Sequence, residues 1–236
     1  MKKLILCMLT VFALLAPATS YCQLPTQKEI SELKKAAEQG DAQAQLLIGM
    51  MYAIGHAVQQ DYTESLKWYR LSAAQGNADS QFYIGVMYAK GEGVKQDYTE
   101  ALKWFRLSAV QGNVKAQNST GVMYSYGKGV RQDYKEALKW YRLAAEQDDD
   151  VAQLFIGELY DLGKGVRQDY AEALKWYRLS AAQGNAQAQN NIGVMYEFGQ
   201  GLRQNKRTAK EWYGKACDNG NQKGCDNYRK LNELGY

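Results

Sequence analysis

The tryptophans of this chain recur at a fixed interval, and this regularity constrains the possible folds more than any other feature of the sequence. All five lie 36 residues apart, at Trp68, Trp104, Trp140, Trp176 and Trp212. A glycine series from Gly49 to Gly193 and a tyrosine series from Tyr52 to Tyr196 keep the same interval. Because self-similarity at a fixed period is the signature of repeat architectures, we expect one structural unit used many times.

The repeated unit occurs five times in full. The units are predicted to span residues 41–76, 77–112, 113–148, 149–184 and 185–220. Residues 21–40 contain an N-terminal segment and a helix that resembles the second half of a unit, and residues 221–236 resemble the first half. We expect these two partial units to be capping helices at the ends of the stack.

Each full unit has the periodicity of two amphipathic helices. In the first helix of the first unit, Ala44, Ile48 and Met51 follow the i, i+4, i+7 spacing of one helix face. The second helix begins with an aspartate such as Asp61 and has a glutamate three residues later at Glu64, which is the pattern of a capping box. One such unit cannot bury its own apolar face, so the units are expected to stack on one another.

The full pattern closely resembles the Sel1-like repeat family, which is related to the tetratricopeptide repeat. It consists of small-x-x-x-x-Gly-x-x-Tyr, a Gly-x-Gly-Val loop, and Asp-Tyr-x-Glu-Ala-Leu-Lys-Trp-Tyr-Arg, and it covers residues 41–220 in full. The resemblance implies an all-α fold, a right-handed α-solenoid of helix-turn-helix repeats that binds other macromolecules. The departures are local: Ala57 replaces the second loop glycine in the first unit, and the fourth begins "DDDVAQ" without the turn glycine.

The N-terminus has the features of a secretory signal peptide over residues 1–20. The basic "MKK" is followed by an apolar run from Leu4 to Ala16 and a small-x-small site that ends at Ser20, the predicted cleavage point. The run is too short to span a bilayer, although an uncleaved N-terminal anchor is the alternative. Tyr21 stands directly before Cys22, where a lipoprotein signal has a small residue. We therefore expect a periplasmic or secreted protein with no transmembrane anchor in the mature chain.

The composition does not favour nucleic-acid binding or metal chemistry. The formal net charge is +4, and lysine and arginine alternate with aspartate and glutamate without forming a basic stripe. The one histidine, His56, occupies a loop position that the other units fill with Glu, Lys or Gln. A histidine-based triad or a zinc site is therefore not expected. The sequence predicts no catalytic residues, no metal and no cofactor.

A hydrolase is the alternative function. The cysteine-rich branch of the resembling family has been linked to penicillin binding and β-lactam hydrolysis, and serine β-lactamases use a Ser-x-x-Lys motif. The chain contains this spacing at Ser31 and Lys34 and again at Ser125 and Lys128, without a Lys-Thr-Gly or Ser-Asp-Asn partner. An envelope β-lactamase-like enzyme, cell-wall-peptide hydrolase or penicillin-binding protein is thus the alternative to a non-enzymatic scaffold.

Comparison of the repeats with one another indicates where a protein or peptide partner would bind. A glutamine in each first helix, from Gln45 to Gln189, never changes and is interpreted as framework. Other positions on these helices differ between copies and lie on one stripe at i, i+3, i+7, i+10 spacing. In the resembling solenoids the first helices line the concave surface. The predicted groove residues are Phe82, Val86, Lys90, Asn118, Val122, Tyr126, Leu154, Glu158, Asn190 and Phe198.

Two residue types in this set have a predicted role. The aromatic rings of Phe82, Tyr126 and Phe198 are the expected anchors, because aromatic residues dominate binding hot spots. Asn118 and Asn190 could bond a peptide backbone, since an amide carries both a donor and an acceptor. The alternative is neutral variation, with the exposed positions free to drift and the apolar ones packing against neighbouring repeats.

Cys217 and Cys225 lie where the repeat pattern ends. By the 36-residue period, Cys217 is equivalent to Ala181, which is predicted near the end of a second helix. Cys225 is equivalent to Gln189, which is predicted in the following first helix. Two thiols without a nearby histidine are not a zinc site, and their spacing is not Cys-x-x-Cys. The cysteine-rich branch of the resembling family has this Cys-x7-Cys spacing as a disulfide between repeats. In an oxidising compartment we expect the same bond to fasten the C-terminal capping helix.

Overall fold

The computed structural model describes residues 26–236, and these residues form twelve α-helices and no strand. The predicted signal peptide and Cys22 lie outside the described residues. The helices are α1 (Gln27–Glu38), α2 (Ala42–Ile54), α3 (Tyr62–Ala74), α4 (Ala78–Lys90), α5 (Tyr98–Ala109), α6 (Val114–Tyr126), α7 (Tyr134–Ala145), α8 (Asp150–Leu162), α9 (Tyr170–Ala182), α10 (Ala186–Phe198), α11 (Lys206–Asp218) and α12 (Gln222–Glu233). None of these helices is long and apolar enough to cross a membrane.

The chain divides into two compact units, one ending at Asn113 and one beginning at Val114. In the first unit, α2 pairs with α3, α4 pairs with α5, and α3 packs on α4; α1 packs on α2. In the second unit, α6, α8 and α10 each pair with the helix that follows, α7 and α9 pack on the next pair, and α12 packs on α11. The predicted all-α repeat architecture is confirmed, with two helices per repeat.

One glycine in each first helix makes room for a ring from its second helix. A Cβ atom built on Gly157 would lie 2.5 Å from Cδ1 of Tyr177, a distance that real side chains do not reach. Tyr177 is fully buried, so its ring contacts the backbone of α8 directly. The same contact recurs at Gly49–Tyr69, Gly85–Phe105, Gly121–Tyr141 and Gly193–Tyr213. The predicted close helix contact at this glycine is confirmed.

Buried amides and hydroxyls connect the two helices of a repeat and join the first helix to the helix before it. The invariant Gln45 donates its amide to the carbonyl oxygen of Ala37 at 3.0 Å and accepts a bond from Gln75 at 2.8 Å. Ser72 donates its hydroxyl to the carbonyl oxygen of Ala42 at 2.7 Å. In the second unit the amide of Gln183 donates to Gln153 at 3.0 Å. These bonds satisfy buried polar groups and confirm the framework interpretation of the glutamine series.

The second helices begin at the predicted aspartate N-caps, but the capping box is not completed. Asp61 accepts bonds from the backbone amides of Thr63 and Glu64. The backbone N–H of Asp61 donates to the carbonyl oxygen of Tyr52 at 3.0 Å. The Glu64 carboxylate instead accepts from Lys67 Nζ at 2.7 Å. The prediction was therefore right for the aspartate and wrong for the glutamate, since the N-cap amide ties the second helix to the end of the first.

The two departures from the repeat keep the backbone of the glycine that they replace. Ala57 has a φ of 62° and Asp148 a φ of 59°, in the left-handed region that favours glycine. At the position equivalent to Ala57, a Cβ on Gly93 would lie 2.6 Å from the carbonyl oxygen of Tyr62 in the preceding repeat. Ala57 is exposed in the first full repeat. Its Cβ is tolerated there at the cost of an unfavourable φ.

The predicted disulfide between Cys217 and Cys225 is present. It joins the end of α11 to α12, with the two Cα atoms 4.5 Å apart. At the equivalent place one repeat earlier, the amide of Gln189 donates to the carbonyl oxygen of Ala181 at 3.3 Å. A covalent bond thus replaces a framework hydrogen bond between α11 and α12.

We expect Gly157→Ala to lower the free energy of unfolding by about 1–3 kcal/mol, because the new methyl group overlaps the Tyr177 ring. Gly214→Ala is the matched control, since a Cβ there would lie 3.4 Å from the Tyr228 ring, an ordinary contact. In the control the better helix propensity of alanine should raise stability by about 0.5–1 kcal/mol. Urea denaturation followed by circular dichroism measures both, and equal effects of the two substitutions would contradict the ring-contact explanation.

We expect Cys217→Ala with Cys225→Gln to lower the free energy of unfolding by about 1–2 kcal/mol. Loss of the cross-link costs about 2–3 kcal/mol by the chain-entropy model, and the new glutamine restores a framework bond of about 1 kcal/mol. Cys217→Ala with Cys225→Ala lacks that bond and should be the less stable of the two variants. Equal stability of the two variants would show that the restored bond contributes nothing at this position.

Candidate binding surface on the first helices

Large apolar side chains are exposed at one repeat position of the second unit. Tyr126, Leu162 and Phe198 are the last residues of α6, α8 and α10, and 65%, 58% and 63% of their surfaces are exposed. Burial of such side chains normally contributes about 1.5–3 kcal/mol each, so their exposure forgoes that stabilisation. We call Tyr126, Leu162 and Phe198 the apolar row.

The first-unit residues of the predicted groove lie on α4. Phe82 is half-buried, with its ring centroid 5.3 Å from that of Tyr83 and 5.8 Å from that of Phe105. Val86 is also half-buried, whereas Lys90 is exposed and forms an ion pair with Glu92 at 3.5 Å. Phe82 is thus part of the packing between α4 and α5 as well as part of the surface.

Two predicted groove residues of the second unit are buried. Leu154 is 7% exposed and packs among Leu174 and Tyr177, and Asn190 is 5% exposed. The Asn190 carbonyl oxygen accepts a bond from the Asn227 amide at 3.2 Å. Because the surroundings of these two side chains are the core and the next repeat, we leave them out of the candidate surface.

Asn118 and Val122 of α6 are half-buried. The Asn118 amide nitrogen donates to the Asp149 carboxylate at 2.6 Å, and among the described residues its carbonyl oxygen is buried without a partner. Asn118, like Asn190, therefore connects a first helix to the next repeat.

The buried tyrosines bring a row of hydroxyl groups to the first helices, a feature that the sequence analysis missed. In the second unit each hydroxyl meets the side chain 16 residues before it. The pairs are Ser125–Tyr141 at 3.2 Å, Asp161–Tyr177 at 3.2 Å and Glu197–Tyr213 at 2.7 Å. Burial raises the pKa of Tyr177 and of Tyr213, so both phenols stay protonated and donate to the carboxylates.

The signal for this row was present in the repeats. In the first unit Phe105 has no hydroxyl group, and the residue 16 positions before it is Ala89, which has nothing to bond with it. Tyr69 is the exception: it keeps its hydroxyl although the residue 16 positions before it is Ala53. Covariation between the two positions is therefore consistent in four of the five repeats, three with the contact and one without it, and could have identified the contact.

Glu158 on α8 holds a poorly compensated negative charge. Burial raises the pKa of the Glu158 carboxyl, the nearby Asp161 charge raises it further, and Lys164 opposes the shift. Within the described part of the chain, no hydrogen bond or ion pair engages this carboxylate. Burial also raises the pKa of Asp161, although the bond from Tyr177 opposes that shift. Glu197 is 8% exposed and has Lys230 at 3.9 Å.

A small cleft of about 70 Å³ opens beside the apolar row, between the C-terminal end of α6 and the middle of α8. Its lining includes Tyr126, Tyr134, Tyr141, Phe155, Glu158 and Lys164. The rings of Tyr141 and Phe155 stack with centroids 5.0 Å apart, and Lys164 Nζ lies 5.4 Å from the centroid of Tyr134. The cleft thus combines aromatic walls with one carboxylate.

The candidate nucleophiles of the hydrolase alternative gain no support from their placement. Ser125 is 8% exposed, and its hydroxyl pairs with that of Tyr141. Burial raises the pKa of Tyr141, so this phenol is not a base near neutral pH. Ser31 and Lys34 are both exposed on α1. Within residues 26–236, no group of three or more His, Cys, Asp or Glu side chains is arranged to hold a metal ion.

Comparison with known protein families matches the Sel1 repeat to six segments of this chain. The matched residues are 33–41, 42–77, 78–113, 114–149, 150–185 and 186–221. The chain belongs to the Sel1 repeat family. Its architecture is accordingly that of an all-α repeat solenoid, and Sel1 repeat proteins are in general protein-interaction scaffolds.

Solved structures with the Sel1 repeat fold are similar to the chain over its whole length. One is c5321 from uropathogenic Escherichia coli, described as a protective antigen: it is 35% identical with a TM-score of 0.81, over 99% of this chain and 49% of c5321. Another is a Sel1 repeat protein from Oxalobacter formigenes, 31% identical with a TM-score of 0.85, over 100% of this chain and 90% of that one. The chain thus spans about half the length of c5321.

A more distant structure shows the same fold. The immunity protein Pa5087 from Pseudomonas aeruginosa is 21% identical with a TM-score of 0.56, over 93% of this chain and 83% of Pa5087. At this identity the likeness concerns the fold alone. A search of curated proteins with the sequence returned no match.

We expect Glu158→Gln to raise the free energy of unfolding at neutral pH, because it removes a half-buried charge that no hydrogen bond of the described residues compensates. The native pKa of Glu158 is raised, so the ionised form is the destabilising one. The advantage of the variant should therefore be largest above that pKa and shrink as the pH falls through it. Thermal unfolding between pH 4 and pH 8 measures the difference in Tm, with Asp161 and Lys164 unchanged. A variant less stable than the wild type at neutral pH would contradict this account.

Proposed function

We propose that this chain is a non-enzymatic interaction module of the bacterial envelope, or a secreted one, that binds a partner protein or peptide on the first-helix face of its repeats. The single observation that carries the proposal is the apolar row of the second unit. Tyr126, Leu162 and Phe198 are each more than half exposed at one repeat position. Monomeric soluble proteins rarely expose large contiguous apolar patches, and those that do commonly use them for binding.

The chemistry of the apolar row suits a binding surface. Two of its three members are aromatic, and aromatic residues contribute a large share of binding energy at protein interfaces. The second helices of the same unit also expose Leu143 and Leu179, at 42% and 51%. Leucine is under-represented among hot-spot residues, so this second set is the less favoured surface and provides a control.

Three points support a location outside the cytoplasm. The Cys217–Cys225 disulfide is of a kind that persists in oxidising compartments. The predicted signal peptide over residues 1–20 agrees with export, although it lies outside the described residues. The likeness to c5321, a protective antigen, agrees with a protein of the bacterial envelope.

We expect the combined variant Tyr126→Ala, Leu162→Ala and Phe198→Ala to lose capture of its partner while its helical circular dichroism is unchanged. The three side chains are exposed, so their removal should cost little stability, whereas each anchor lost from an interface costs about 1–2 kcal/mol of binding. The measurement is a cross-linking pull-down from the native envelope, with the partner quantified by mass spectrometry.

The matched control is Leu143→Ala with Leu179→Ala, which removes exposed apolar area from the second helices of the same unit. It should keep capture at the wild-type level. Capture that survives the loss of the apolar row, or that is lost equally in the control, would refute the proposed surface.

A further inference from the structure

The cleft beside the apolar row has the chemistry of a site for one cationic side chain. We propose that it receives the ammonium end of a lysine from the bound partner, between the aromatic walls and the Glu158 carboxylate. The inference rests on the proposed function, because it names the residue type that the partner would present. It concerns the second unit alone, since every residue of the cleft lies between Val114 and Tyr236.

The walls of the cleft are suited to a cation. Tyr126, Tyr134, Tyr141 and Phe155 all line it, and the faces of aromatic rings attract ammonium groups through their quadrupole. One ring shows this attraction within the chain, because Lys164 Nζ lies 5.4 Å from the centroid of Tyr134. The cleft already accepts a primary ammonium at this wall.

The charge of the cleft also favours a cation. Glu158 is the acidic residue of its lining, and no hydrogen bond or ion pair of the described residues engages its carboxylate. Lys164 moderates this charge at a distance without forming an ion pair with it. A ligand ammonium beside Glu158 would supply the missing partner and recover part of the cost of burying the charge.

The repeats show that this cleft is not part of the common framework. The positions equivalent to Glu158 hold Met50, Val86, Val122 and Val194, so four of the five repeats have an apolar residue there. The repeat therefore folds with an apolar side chain at this position and does not need a carboxylate there. A carboxylate that costs stability and is absent from the other copies is better explained by binding than by folding.

The size of the cleft suits a compact cation. A cavity that holds one water molecule needs about 10–15 Å³, so the cleft volume of about 70 Å³ has room for an ammonium group and the end of its alkyl stem. A guanidinium is planar and needs room for a two-point contact with a carboxylate. The geometry thus points to lysine in preference to arginine.

The test uses the full chain and three small probes that differ in one group. n-Butylammonium chloride, n-butylguanidinium chloride and n-butanol are each titrated into ¹⁵N-labelled protein at constant ionic strength. We expect n-butylammonium to shift the amide signals of Tyr126, Glu158 and Leu162, n-butylguanidinium to bind more weakly, and n-butanol to leave them unchanged.

Two substitutions in the cleft and one outside it complete the design. Glu158→Gln should weaken n-butylammonium binding about tenfold, because it removes one charge-assisted contact. Lys164→Ala should strengthen it about threefold, because it removes a competing ammonium. Glu146→Gln makes the same change of charge at an exposed position of the same unit and should leave the affinity unchanged. The thermal unfolding of Glu158→Gln shows independently that this variant folds.

Three results would overturn the inference. Equal shifts with n-butanol would show that the cleft is merely apolar, tighter binding of n-butylguanidinium would assign it to arginine, and an unchanged affinity in Glu158→Gln would remove the carboxylate from the site. The pull-down result separates this inference from the proposed function. If the apolar-row variant loses capture and n-butylammonium does not bind, the lysine site is wrong and the binding surface stands.

Discussion

The contact between a helix glycine and an aromatic ring is the constraint on which the rest of each repeat depends. In every full repeat the missing Cβ of the first helix lets the ring of the second helix approach to a distance that no other residue would allow. That approach sets the distance between the two helices. It places the backbone of the first helix within reach of the framework amides and hydroxyls, and it directs the para position of the ring towards residues near the C-terminal end of the first helix.

The same contact connects packing with function in the second unit. Once the rings of Tyr141, Tyr177 and Tyr213 are fixed against the glycines, their hydroxyls need partners on the first helices. Ser125, Asp161 and Glu197 supply them, and so two carboxylates are held next to the apolar row for a structural reason. Glu158 is different, because no tyrosine hydroxyl satisfies it and its burial is unfavourable. The proposed binding surface is therefore a set of residues that the framework does not need, placed on helices that the framework holds rigidly.

Comparison of the repeats with one another predicted the role of a residue correctly where the same residue type makes the same contact in successive repeats. The glycine and the glutamine keep their identity in all five full repeats and the N-cap aspartate in four, because each meets an equivalent neighbour, and their roles were predictable. The disulfide was predictable for a related reason, since the repeat period places Cys217 and Cys225 at positions known to be in contact. Variation was a less reliable guide. Leu154, Asn118 and Asn190 vary, yet each is engaged by the core or the next repeat, so variation alone does not separate a binding surface from a contact inside the molecule.

The sequence by itself determined the repeats, the two helices of each, the aspartate N-caps and the disulfide between α11 and α12, because these depend on short-range patterns. It could not determine whether the side chain at a variable position is exposed or buried. A residue near the edge of the apolar face of a helix is buried or exposed according to the side chains of the neighbouring repeat. Only the tertiary structure decided that Tyr126, Leu162 and Phe198 remain in water while Leu154 does not. The same holds for the Glu158 carboxylate, whose lack of a partner follows from the placement of side chains far apart in the chain.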